Sequence, residues 1–416
     1  MANTFASVLR KTGGKAPGVA HTRLLLVVAW IAFQSIRLTD GSAGAVFSAL
    51  WIVPHAVVPA LFAVLGFCLA HAAAERSARE FLLDRVRRAG PVLLVAVMVS
   101  ALVLGPAVTT GGLRAYVSDP TFAQYFLILV GWPRFELPGV FEFNDYAGVV
   151  NEALWLPPCF AIVVLSALGA MRSRAPRWIA LAATTATLAI YLTGEAAGLI
   201  PSPGGSVIRN SFVASGLAAI FAGQCGTLGY LWRERLPIGW PVLLGSVVAL
   251  GALALVAGPG FVDLPGAPIA IALLAGAGAL AASARRYSGS WIAARAAPVL
   301  HGAMLFAFPL QQLAADLGPG RQSAPISLAL SLPLAAALAW GLHWVTVRVG
   351  LAPKRAEPDL GELPPTALPD LRRPRYWKNL FRKAAAGLGL AVFVAVAGVI
   401  VILITIAALK SDPIGV

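Results

Sequence analysis

The chain has 416 residues, 58% of them hydrophobic and only 12% charged, with a net charge of +14. Soluble domains carry about 25% charged residues, so a soluble globule is excluded. Many apolar runs of about 20 residues point instead to a multi-span helical membrane protein.

Residues 1–21 are polar and basic and form a cytoplasmic segment without a convincing cleavable signal. Eleven spans are predicted, near 22–39, 44–73, 90–110, 148–170, 177–193, 210–232, 237–257, 264–283, 298–317, 324–348 and 384–409. All are read as helices, because a span in lipid must satisfy its own backbone. The expected architecture is an all-α membrane bundle: a ten-helix domain over 22–350 plus one extra C-terminal helix within 384–416. With this count, all but six of the 32 lysines and arginines fall on one side of the membrane. The exceptions are Arg37, Arg114, Arg134, Arg209, Arg321 and Lys410. The basic side is cytoplasmic by the positive-inside rule, so the positive charge is a topology signal and not a nucleic-acid footprint. The N-terminus is then cytoplasmic and the C-terminus periplasmic. The Ala, Gly and Arg richness suggests a bacterial inner membrane.

Three further features stand out along the chain. The longest non-cytoplasmic connection, 111–147, contains Trp132, Pro133, Arg134, Phe135, Glu136, Asn144, Asp145 and Tyr146 and is expected to form an ordered cap. Its apolar piece from Tyr125 to Trp132 is too short to span and is expected at the interface. Residues 351–383 form a Pro-rich, acidic linker and then a basic, aromatic stretch with Arg372, Arg373, Arg375, Trp377 and Phe381. That stretch suits an anionic cytoplasmic surface or a partner subunit. Cys68, Cys159 and Cys225 sit far apart in apolar runs, so neither a metal site nor a disulfide framework is expected.

One segment carries a family pattern. Val150-Asn151-Glu152-Ala153-Leu154-Trp155-Leu156-Pro157-Pro158-Cys159-Phe160 resembles the "VNGSLWTLPYE" signature of the acyltransferase-3 family of bacterial membrane proteins. Ala63-Val64-Leu65-Gly66-Phe67 resembles the "FVLSGF" end of that family's second helix. Phe81 to Pro91 resembles the "FLxxRxxRIxP" cytoplasmic loop, and Gly302 to Gln312 the "YGxYLxxFPxQQ" helix. The resemblance covers roughly residues 22–348 and implies a ten-span core that transfers acyl groups from acyl-CoA to hydroxyls of surface glycans or similar acceptors.

The resemblance also marks where this chain departs. The family has an Arg, ten residues and then a His in helix one; here Arg23 is followed by Gln34. The motif's closing Glu is replaced by Phe160, its Tyr by Cys159, and the Ser of helix two by Leu65. A hydroxyl needs a positioned base to attack a thioester, and losing one costs typically a hundred- to ten-thousand-fold. An amide and a benzyl ring cannot move that proton. The leading expectation is therefore a catalytically inactive accessory or structural subunit of a membrane complex, with the bilayer and other membrane subunits as partners and no metal or resident cofactor. The alternative is an active O-acyltransferase, with acyl-CoA as donor and its base moved to His55 or Glu152. Glu152 lies eight residues before Phe160, about 12 Å away if one helix carries both. Arg23, Arg85 and Arg88 are the candidates for acyl-CoA or phospholipid phosphates, and Asn151 and Trp155 for substrate. His71, His301 and His343 are read as interfacial.

The charge split is testable by labelling introduced cysteines from outside the cell. Arg174→Cys should react only after permeabilisation and Ser202→Cys without it; the reverse pattern would overturn the predicted orientation.

Overall fold

A computed structural model describes residues 4, 7, 18–40, 49–132, 134–200, 208–237, 239–285, 287, 290–316 and 323–351. Among these residues every extended element is helical, and pairing is limited to isolated bridges. The helices are α1 (Val19–Asp40), α2 (Ile52–Glu75), α3 (Ala78–Val108), α4 (Gly112–Ser118), α5 (Pro120–Tyr125), α6 (Leu156–Arg172) and α7 (Pro176–Ala196). They continue with α8 (Ile208–Leu231), α9 (Trp240–Val256), α10 (Ala267–Ser283), α11 (Ser290–Ala296), α12 (Leu300–Asp316) and α13 (Ala324–Arg348). A helix therefore stands at ten of the eleven predicted spans. The eleventh, 384–409, lies outside the described residues, as do Arg372, Arg373, Arg375, Trp377 and Phe381. Among the described residues six helices are long and apolar enough to cross a membrane: α1, α2, α3, α6 with its leading turn, α7 and α13. The chain is thus a multi-pass membrane protein whose described part is helical.

The stretch from Phe81 to Pro91, expected as a loop, is helical. Ser77 caps α3: its hydroxyl accepts the Glu80 N–H at 3.3 Å while the Glu80 carboxylate accepts the Ser77 N–H at 3.1 Å. This reciprocal cap starts the helix at Ala78, before Pro91 is reached. Arg85 and Arg88 consequently ride on a rigid helix face. Near its other end α3 widens into a π turn over Ser100–Leu104. Pro106 has no N–H to offer the carbonyl five residues back. The Tyr116 hydroxyl donates to that Ala101 carbonyl instead, at 2.7 Å. The segment expected at the interface after Tyr125 is a short 3-10 helix over Phe126–Val130.

Packing centres on α2, which is buried almost continuously from Val58 to Ala73 and touches α1, α6, α8 and α10. Its closest neighbour is α8. A Cβ on Gly66 would collide with the Gly223 carbonyl, and one on Gly226 with the Ala63 carbonyl. Lipid gives apolar side chains no reason to hide from it, so helices hold together through such close backbone contact. On the other side α12 packs along α13, where a Cβ on Gly302 would come within 2.8 Å of the Ala339 methyl.

One end of the bundle carries arginines stacked on aromatic rings. Arg285 lies 3.6 Å from the Trp240 ring centre, Arg233 4.3 Å from Tyr230, Arg348 4.6 Å from Trp344 and Arg295 5.2 Å from Trp291. Such pairs suit a membrane–water boundary, where an apolar body and a charged head are both accommodated.

Replacing Gly226 by Leu should destabilise the full chain in detergent by at least ~2 kcal/mol, through overpacking against the α2 backbone. Gly251→Ala, where a Cβ meets nothing within 4 Å, should leave thermal unfolding unchanged. Equal effects would contradict this account of the α2–α8 contact.

Candidate functional site

Residues 135–155 form the floor on which the site is built. Leu137 N–H donates to Gly148 O at 2.8 Å, Gly148 N–H to Val140 O at 2.8 Å, and Val150 N–H to Phe135 O at 3.2 Å. From there the chain runs into the bundle without helical hydrogen bonding, so side chains of neighbouring helices must satisfy it. Gln312 on α12 donates to the carbonyls of Tyr146 and Val149, at 3.1 and 2.9 Å. Asn144 donates back to Gln312, to its carbonyl at 3.1 Å and its Oε1 at 3.0 Å. Asn151, fully buried, donates to Leu305 O at 2.8 Å and accepts the Ala153 N–H at 3.2 Å, which starts the 3-10 turn Glu152–Trp155.

Glu152 is buried and ion-paired with Arg37 of α1. The Arg37 guanidinium also stacks on Tyr146, 4.3 Å from the ring centre. Burial pushes the Tyr146 phenol above its ordinary pKa, and the neighbouring Arg37 charge opposes that shift. The Glu152 carboxylate thus holds the connection against α1.

These anchors set the depth of α6. Leu305 follows Gly302 by three residues, and Gly302 abuts Ala339, nine residues before the end of α13. Asn151 therefore reaches the middle of the 25-residue α13. Phe160 then lies beside the beginning of α12, its ring 6.2 Å from that of His301.

Phe160 and His301 are part of the wall of a cavity of about 240 Å³ between α1, α2, α3, α6, α12 and α13. Arg23, Arg85 and Arg88 line it together, with His71 and His343. Among the described residues none that lines it is acidic. Asp84 stands just outside the lining and pairs with Arg85 and Arg88, both at 3.1 Å, and with Arg76 at 2.9 Å. Leu61, Leu65, Val27, Val92 and Met304 complete an apolar wall. The arrangement can hold an anion at its arginines and an apolar group against Phe160.

The other sequence candidates lie elsewhere. Gln34 is eleven residues after Arg23 on α1, about 16 Å along the axis; it is buried, and neither its Nε2 nor its Oε1 has a hydrogen-bond partner. It is not among the cavity-lining residues, so the helix-one position and Phe160 do not share that wall. His55 is half-buried on α2 and likewise outside the lining. Trp155 is buried in the main apolar core. His301, His71 and His343, expected at the interface from their nearness to span ends, line the cavity. The break at Pro298, between α11 and α12, is the sequence signal that α12 starts inside the bundle. Among the described residues no group of three His, Cys, Asp or Glu could hold a metal ion.

Comparison with family models, with curated proteins and with solved structures returns no match to this chain.

Glu152→Gln should cost about 3–5 kcal/mol, because it leaves the Arg37 charge buried without its counter-ion. Thermal unfolding checks the magnitude. Limited proteolysis should show faster cleavage within 135–150, and unchanged cleavage there would contradict the anchoring role.

Proposed function

We propose that this chain is a membrane protein of the acyltransferase-3 type that keeps the donor-side arginines without the acid–base pair, and that it serves as an accessory or structural subunit of a membrane complex. The observation that carries this reading is the composition of the cavity wall. Arg23, Arg85 and Arg88 converge there, while Phe160 occupies the place where the resembled motif has its Glu. Gln34, in place of the motif His, cannot take a proton and lies away from that wall. In this reading all ten helices of the 22–350 domain cross the inner membrane, and the arginine-rich end faces the cytoplasm. The stretch with Arg372, Arg373, Arg375, Trp377 and Phe381, and the extra span after it, then serve to dock a partner subunit.

A second reading, an active O-acyltransferase, is favoured by one observation. His301 lines the cavity beside the arginines, and its buried Nε2 has no hydrogen-bond partner. There it could accept the proton of an acceptor hydroxyl as that oxygen bonds to the thioester carbonyl. It would return the proton to the departing thiolate as the C–S bond breaks. Glu152, paired with Arg37, is not among the residues that line the cavity.

The test is transfer of a radiolabelled acyl group from acyl-CoA in membranes, across several hydroxyl acceptors. The expected result is no transfer above membranes lacking the protein. Transfer that disappears in His301→Gln would establish the second reading and remove the first.

A further inference from the structure

The cavity has polarity along its length, and the helix directions show it. Arg23, Arg85, Arg88, His71 and His343 all sit toward one end of the bundle. Inward from them the wall turns apolar. Val27 is one turn inward of Arg23 on α1, and Val92 one turn inward of Arg88 on α3. On α2, Leu65 and Leu61 lie six and ten residues inward of His71, about 9 and 15 Å along the axis. Met304 and Phe160 close the same region. Two of these apolar residues, Leu65 and Phe160, stand where the resembled family pattern has Ser and Glu, so the inner end has lost polar groups while the arginine end has not.

We infer that the cavity binds a single-chain anionic amphiphile, with its phosphate or carboxylate head at Arg23, Arg85 and Arg88 and its alkyl tail along Leu61, Leu65, Val92 and Phe160. This deepens the non-catalytic reading above and rests on it: a site that no longer moves a proton still recognises a charged head and an apolar tail. Charge complementarity selects the head: among the described residues the lining is basic and carries no carboxylate, and Asp84, just outside it, offsets only part of the charge of the three arginines. A carboxylate at position 160 would have to be desolvated against the tail, whereas a phenyl ring adds apolar contact.

The probes are alkyl phosphates short enough to stay dissolved, measured by equilibrium dialysis against the full chain in amphipol. Protein-free amphipol is the reference. Octyl phosphate should bind at one molecule per chain, at least tenfold more tightly than butyl phosphate, since each buried methylene is worth up to about fourfold. Octanol tests the tail without the charge, and inorganic phosphate the head without the tail; neither should saturate. Phe160→Glu should abolish the advantage of octyl over butyl phosphate, and Arg88→Gln should weaken both by about tenfold. The chain-length series on the unmodified protein stands even if a variant fails to fold. Equal binding of butyl and octyl phosphate, or of octanol and octyl phosphate, would overturn the inference, as would inorganic phosphate binding as tightly as octyl phosphate. Octanoyl-CoA turnover by the same preparation would remove the non-catalytic reading while leaving the occupancy result to be judged separately.

Discussion

Arg37 and Glu152 pair where both are largely withdrawn from solvent, and either charge alone would be costly there. The pair is one of a set of contacts that hold an irregular segment inside a helical bundle. Gln312 and Leu305 complete the set from α12 by accepting or donating to backbone and amide groups that lipid could not satisfy. Because these contacts fix the chain at Asn151, they also fix where α6 begins. The depth of Phe160 and its place beside His301 follow from that start.

The same geometry decides which chemistry the cavity can support. Its arginines arrive on separate helices, α1 and α3, and their approach depends on α3 beginning as early as Ala78. Asp84 balances part of their charge from outside the lining. What remains facing the cavity favours an anion, and the apolar far end favours a tail over a polar acceptor. Gln34 belongs to a different neighbourhood, close along α1 to Ser35, whose hydroxyl accepts a bond from Gln311 at 2.8 Å. The departures at Phe160 and Gln34 therefore lie in separate places, one in the cavity wall and one in the bundle core.

Much of the helical layout was legible from apolar run length, because the bilayer sets that length directly. Helix starts were less legible. The run from Phe81 to Pro91 is charged and looks like a loop, but a Ser77–Glu80 cap and intrahelical pairing of Asp84 with Arg88 make it a helix. Arg23, Arg85 and Arg88 line one cavity, and composition alone would not have grouped them. The inward placement of His301 was not legible from span position. It depends on α12 starting short of the end of α13, a tertiary contact made through Gly302 and Ala339, nine residues before that end. The pairing of Glu152 with Arg37 was equally hidden, since 115 residues separate them.

The most direct measurement of the central claim is a distance between positions 160 and 301. Phe160→Cys and His301→Cys would be combined in a chain whose Cys68, Cys159 and Cys225 are replaced by Ala, and treated with a short bifunctional thiol reagent. Trp240→Cys with Arg285→Cys serves as the control for reagent access. The account predicts an intramolecular cross-link for both pairs. A cross-link in the control alone would show that α6 does not enter the bundle deeply enough to bring Phe160 to the cavity, and would contradict the account.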